Sequence, residues 1–200
     1  MTTSFSVTWD YLCPFARNAH EHLVTALKAG ADWDVRFTYF SLAQAHVSEG
    51  GEPVWGDPSA HPGLIAGLAG IVVRDRYPQQ FLDAHQALFS ARHDQALDLR
   101  DAGVVATALD QAGLDGQAVL TEINEGWPVQ TARAEHEEAL RKWDVFGVPT
   151  FLVGDRGVVV RLMHRPEGDS KAAESAIERV LDLVDGFPEL NEYKFTRIPR

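Results

Sequence analysis

Chemistry in this chain centres on its single cysteine, Cys13, which stands in the run Asp10-Tyr11-Leu12-Cys13-Pro14-Phe15-Ala16. A lone cysteine admits neither an internal disulfide nor a zinc site of several cysteines. It is either a small buried apolar residue or a reactive thiol. Its position separates the two. In the preceding residues Phe5, Val7 and Trp9 alternate with Ser4, Ser6 and Thr8, the period of a half-buried strand. In the following residues Phe15, Ala19, Leu23, Ala26 and Leu27 recur at helical spacing until Gly30. Pro14 suits the first turn of that helix, where its missing N–H costs nothing. Cys13 therefore falls where a strand feeds a helix N-terminus. The unpartnered N–H groups and the dipole there favour a thiolate. Such placement lowers a cysteine pKa from about 8.5 into the range of about 3.5–7.5. Arg17, one turn along, adds positive charge if its side chain turns back. The expectation is a reactive thiol of depressed pKa.

A second motif is Gly147-Val148-Pro149-Thr150, where a proline leads directly into an apolar run. Proline is accepted at the first position of a strand, and only about 5–6% of X–Pro bonds in folded proteins are cis, so the local reading is trans. The histidines carry less. His20 lies seven residues after Cys13, two helical turns away and too distant to serve as its base. His20, His22, His85, His93 and His164 show no metal-ligand spacing, and no metal site is expected. Trp55, Trp127 and Trp143 either line a pocket for planar aromatic substrates or pack in the core. Tyr11, beside the thiol, either hydrogen-bonds a ligand or caps the first strand. Arg74 and Arg76 are candidates for touching an anionic cofactor.

The elements that must position these residues follow from periodicity. Trp33, Val35, Phe37 and Tyr39 share one face of a second strand, completing a βαβ unit whose strands are parallel. A turn-rich loop follows over 48–63, with Gly50, Gly51, Pro53, Gly56, Pro58, Pro62 and Gly63. From 64 to 146 the periodicity is helical only. Asp115 is a plausible N-cap, and Pro128 opens a polar helix whose Glu135, Glu137 and Glu138 are expected to face water. Strands return at Pro149–Val153 and Val158–Met163, joined as a hairpin through Gly154-Asp155-Arg156-Gly157. A last helix, capped by Asp169 or Ser170, buries Ala173, Ile177, Val180, Leu181 and Val184 and stops at Gly186.

Composition bounds the function. At 200 residues with 45% hydrophobic content, the chain is long enough for a well-packed core without disulfide or metal. Its 29 acidic against 18 basic residues give a net charge of −11, which repels phosphate backbones and anionic lipid. Nucleic acid and membrane are therefore not expected as partners. No apolar run is long enough to span a bilayer, and Met1 to Trp9 lacks the basic flank and apolar stretch of a signal peptide. Cytoplasmic residence is expected.

The order of elements, Cys13-Pro14-Phe15-Ala16 after the first strand and Gly147-Val148-Pro149-Thr150 before the hairpin resemble the DsbA-like branch of the thioredoxin superfamily. The likeness covers almost the whole chain. It is greatest to the group containing FrnE-like proteins and mycothiol-dependent nitroreductases. Asp10-Tyr11-Leu12-Cys13-Pro14, Phe40-Ser41-Leu42 and the tail from Phe187 through Arg197 look like corresponding parts of that group. The resemblance implies an α/β thioredoxin fold, β-α-β … β-β-α, over 1–45 and 147–200, with an inserted all-helical domain over 60–146. It implies that Cys13 is the nucleophile, that Pro149 is a cis-proline beside it, and that Val148 offers its backbone to an extended ligand. Tyr11, Val148, Pro149 and Thr150 then form the thiol- or substrate-binding set. Ala16 departs from the dithiol relatives, which hold a second cysteine there, so a stored enzyme disulfide is excluded for this chain alone.

The implied activity is a monothiol oxidoreductase of the cytoplasm. It has no tightly bound cofactor and uses mycothiol or glutathione as co-substrate toward a disulfide or small electrophile, as monomer or homodimer. Two alternatives stand beside it. One is a transferase or isomerase resembling the kappa-class enzymes, which activates the co-substrate's thiol instead of its own. The other is a non-catalytic binding protein.

Overall fold

The computed structural model describes residues 2–192 and 194. Strand β1 (Thr3–Trp9) leads into helix α1 (Pro14–Lys28) and returns as β2 (Trp33–Tyr39). A one-turn helix α2 (Leu42–Ala45) and two short 3₁₀ turns, Pro58–Ala60 and Pro62–Leu64, carry the chain through the glycine- and proline-rich loop. Five helices follow: α3 (Ile65–Arg76), α4 (Phe81–His93), α5 (Ala102–Gln111), α6 (Gly116–Ile123) and α7 (Trp127–Trp143). The hairpin β3 (Thr150–Val153) and β4 (Arg156–Val159) and helix α8 (Ser170–Gly186) complete the order. The sheet runs β2-β1-β3-β4. β1 and β2 are parallel with Val7 opposite Phe37, and β3 is antiparallel to β1 with Phe151 opposite Val7. This is the arrangement expected of the thioredoxin fold, with the helices α3–α7 placed between β2 and β3.

The parallel register puts Phe5, Val7 and Trp9 on the same face as Val35, Phe37 and Tyr39, the alternation read in the sequence. Trp9 meets the Tyr39 ring at 5.7 Å and the Phe81 ring of α4 at 6.1 Å. Helix α3 approaches this face through glycine. A Cβ at Gly70 would lie 2.6 Å from the Tyr11 hydroxyl, and one at Gly67 would overlap the Tyr39 ring. Gly67 and Gly70 thus let the helix touch two buried tyrosines directly.

Three local expectations are corrected. The hairpin turn is only Gly154-Asp155, because Gly154 adopts a positive φ of 61°. Arg156 and Gly157 therefore pair with Val153 and Leu152, and β4 ends at Val159, short of Met163. Gly186 lies inside the last turn of α8, with Phe187 as its cap. Glu135 does not face water: it is buried beneath the β2 edge, where it accepts the Tyr39 N–H at 2.7 Å and pairs with Arg74 at 2.8 Å. The acidic helix face is interrupted there because β2 is an outer strand of the sheet and its free N–H needs an acceptor. The tail from Phe187 through Arg197 lies partly outside the described residues.

Substituting Gly70→Ala drives a methyl group into the Tyr11 ring. It is expected to destabilise the fold by about 1–3 kcal/mol, read as a lowered urea midpoint.

Candidate active site

Cys13 is the N-cap of α1, in extended backbone geometry, with Pro14 as the first helical residue. Its sulfur accepts the Ala16 N–H at 3.4 Å, and its S–H donates to the carbonyl of Val148 at 3.3 Å. The side chain is 8% exposed. The Val148–Pro149 peptide bond is cis. The loop that holds Val148 is fixed by Thr150, whose N–H donates to Thr8 Oγ1 at 2.8 Å and whose hydroxyl donates to Gly147 O at 2.6 Å. Phe146, just before this loop, is 77% exposed and presents an apolar ring to solvent.

The thiol does not have the depressed pKa expected from its place on the helix. Burial pushes it up, and the nearby Asp10 carboxylate pushes the same way. The Ala16 and Phe15 amides favour the thiolate but do not outweigh desolvation. Arg17 does not turn back toward the sulfur; it pairs with Asp94 and Glu21. The cation that does act on Cys13 is Arg161, whose guanidinium lies 5.1 Å above the Phe15 ring.

Asp10 was not distinguished as a functional residue by its sequence. It is buried, and each oxygen takes one backbone N–H: Oδ1 from Leu12 and Oδ2 from Leu42, both at 2.9 Å. One carboxyl group thereby ties the loop that carries the thiol to the segment that follows β2. Burial raises its pKa in spite of these two donors.

A buried polar chain runs behind the thiol loop. The Thr8 carbonyl can only accept, so His20 carries its proton on Nε2, 3.0 Å away. His20 Nδ1 must then accept from His85 Nε2 at 2.9 Å, and His85 Nδ1 accepts from the Tyr11 hydroxyl at 2.8 Å. Every member is neutral in this arrangement. Burial lowers His20 to about 4, and burial, with the Arg74 charge and the repulsion a protonated His20 would exert, holds His85 well below the usual range. His93 adds a bond from its Nε2 to the Tyr11 carbonyl at 2.9 Å. These partners come from α1 and α4, elements separated by more than fifty residues, and nothing in the local sequence announces them.

Several candidate residues are placed elsewhere. The Tyr11 hydroxyl is committed to His85 and buried at 1% exposure, so it is not offered to a ligand. The Thr150 side chain is likewise used inside the loop. Arg74 is held by Glu135, Asp75 and the Phe37 carbonyl, and Arg76 by Glu122 and the Trp127 ring. The three tryptophans do not converge. Trp55 packs on His136, Trp127 donates to Glu122, and Trp143 donates to the Gly154 carbonyl. Among the described residues no group of three or more His, Cys, Asp or Glu is arranged to hold a metal ion. None of the helices among them is long and apolar enough to cross a membrane.

This fold, with the sulfur beside a cis-proline, is the DsbA-like form of the thioredoxin fold. Residues 71–165 match the family model of the DSBA-like thioredoxin domain, a stretch that runs from within α3 through α7 and the β3–β4 hairpin, holds Pro149 and Arg161, and begins after Cys13. Among solved structures the chain is similar to reduced DsbA1 from Neisseria meningitidis, at TM-score 0.59 and 17% identity over 90% of this chain and 83% of that one. It is similar to a 2-hydroxychromene-2-carboxylate isomerase at TM-score 0.63 and 16% identity, over 90% and 97%. It is also similar to the cytosolic disulfide reductase DsbM from Pseudomonas aeruginosa with GSH, at 0.60 and 13%, over 90% and 100%. At these identities the shared property is the fold. No curated protein sequence matches the chain.

Two outcomes follow from the ionisation pattern. Asp10→Asn removes the negative charge beside the thiol, so the alkylation midpoint of Cys13 is expected above the ordinary thiol range in the native chain and lower in the variant. The buried histidines His20, His85 and His136 all have pKa values lowered on folding. The unfolded chain therefore binds more protons below about pH 6.5, and stability present above that pH is lost as pH falls toward 4. Asp10, raised on folding, opposes this with at most one proton. The urea-unfolding free energy is expected to drop by on the order of 2–4 kcal/mol between pH 7 and pH 5.

Proposed function

We propose that the chain is a thioredoxin-fold thiol oxidoreductase that works with one cysteine and a low-molecular-weight thiol, mycothiol or glutathione. The observation that carries this reading is the Cys13 sulfur lodged between the Ala16 amide and the Val148 carbonyl, with Ala16 where a resolving cysteine would stand. Cys13 loses its proton to solvent and attacks one sulfur of a disulfide. A Cys13–sulfur bond forms, the disulfide breaks, and the other sulfur leaves as a thiolate. A second small thiolate attacks the partner's sulfur, and Cys13 leaves as its thiolate. The Ala16 and Phe15 amides stabilise that thiolate at both steps. A small electrophile is the alternative oxidant. The fold likeness to the cytosolic disulfide reductase DsbM with GSH supports a thiol co-substrate and a cytoplasmic setting.

One observation favours a second reading. In the resting chain the thiol is neutral and donates to Val148, and a neutral donor is what a transferase or isomerase needs to hold a co-substrate's thiolate. Its fold likeness is to the 2-hydroxychromene-2-carboxylate isomerase.

The test is to expose native, Cys13→Ser and Cys13→Ala chains to glutathione disulfide and, separately, to glutathione with 1-chloro-2,4-dinitrobenzene. On the leading reading the native chain gains one thiol adduct by mass, free thiol removes it, and both variants gain none. If the native chain gains no adduct while the serine variant keeps a conjugation rate that the alanine variant loses, the transferase reading replaces it. Inertness of all three chains in both assays leaves the non-catalytic binding protein.

A further inference from the structure

The surroundings of the thiol carry a charge preference. Arg161 follows β4, and its backbone neighbours are tied on both sides. Val160 N–H donates to the Pro149 carbonyl at 3.1 Å, and the Leu162 carbonyl accepts from Asn18 Nδ2 at 2.8 Å. The first bond attaches Arg161 to the proline loop and the second to α1, the two elements that hold the Cys13 sulfur. Its guanidinium rests on the ring of Phe15, two residues beyond the cysteine. This side chain is exposed, yet among the described residues it has no carboxylate within ion-pair distance. Arg17, Arg36, Arg74, Arg76, Arg100, Arg133 and Arg165 all do, and of the described arginines without one, Arg161 is the one that lies against Phe15 and the proline loop. In a chain of net charge −11, a dissolved anion is repelled at long range unless a local cation receives it.

We propose that Arg161 selects the small thiol or disulfide that reacts with Cys13, and that this partner carries a carboxylate close to its sulfur. The proposal rests on the thiol-exchange reading above and narrows it. A peptide thiol such as glutathione carries carboxylates, whereas a thiol built on an uncharged sugar does not, so glutathione-like partners are favoured over mycothiol-like ones. Arg161 offers a planar fork suited to a carboxylate. The Phe15 ring fixes the guanidinium plane so that little side-chain freedom is lost on binding.

The experiment starts from a Cys13 mixed disulfide with 2-mercaptoethanol and follows its release by three thiols. These are 3-mercaptopropionate, 2-mercaptoethanol and cysteamine, respectively anionic, neutral and cationic. Each rate is divided by the same thiol's rate toward 2-hydroxyethyl disulfide at that pH, which removes intrinsic nucleophilicity. The expected order is anion, then neutral, then cation, with an anion-over-cation ratio of about tenfold that shrinks with added salt. Arg161→Gln is expected to erase the order and Arg161→Lys to keep part of it. Arg165→Gln, a cation held by Glu21 and Asp94, is expected to leave the order unchanged. Equal normalised rates in the native chain, or an order that survives Arg161→Gln, overturns the proposal while leaving thiol exchange intact. No release by any of the three overturns the exchange reading and the proposal with it.

Discussion

The site depends on how one sulfur divides its two contacts. The Ala16 amide favours the thiolate, and the Val148 carbonyl accepts from the thiol. Either contact alone would bias the group. Together, inside a nearly closed pocket, they leave the balance to the surroundings, and there desolvation and the Asp10 carboxylate both favour the neutral form. A helix N-terminus is therefore not sufficient for a low thiol pKa, because the same fold that supplies the amides also removes the water that would solvate the charge. On the proposed thiol-exchange reading, reaction must bring in compensating charge or expose the sulfur. Arg161, on the rim, is placed to respond to such an arrival.

Holding that sulfur requires elements far apart in the chain. The proline loop lies between α7 and β3, the amides come from α1, and the segment beyond β2 is tied to the thiol loop by Asp10. Behind them the Thr8–His20–His85–Tyr11 chain joins the β1 end to helix α4. Its direction is fixed by a single acceptor-only carbonyl at one end. A fully satisfied chain of this kind rigidifies the base of the thiol loop, but it does so only while both imidazoles are neutral. The glycine contact of α3 on Tyr11 presses on the same point from the other side. The loop that carries the thiol is thus among the most constrained parts of the molecule, which suits a site where a small partner must meet a fixed sulfur.

Charge is distributed unevenly with respect to that sulfur. The chain is acidic overall, and seven of its twelve described arginines are paired with carboxylates at short range. Asp10, the acid next to the thiol, is buried, whereas Arg161, its nearby cation, is exposed. An approaching anion meets Arg161 at the surface and is shielded from Asp10 by the loop around it. On the proposal above, this contrast between buried acid and exposed base, rather than net charge, sets which partners the sulfur meets.

Much of this was legible in the chain. The alternation of Phe5, Val7 and Trp9, the helical spacing after Pro14, the caps at Asp115 and Asp169 and the buried stripe of α8 are local patterns. They depend on residues within a few positions of one another, so periodicity and capping chemistry suffice to read them. Cys13 at the strand-to-helix junction is of the same kind. What the sequence alone did not determine is the state of each group. Cys13 meets a carbonyl 135 positions away, Asp10 closes a contact with Leu42, and Glu135 turns inward because β2 runs along the sheet edge. Which arginine faces the sulfur, which tyrosine is spent on a histidine and whether the thiol is charged were decided by tertiary packing. Ionisation and hydrogen-bond partnership depend on the solvent and charges that the fold brings within a few ångströms, and those come from residues distant in the chain.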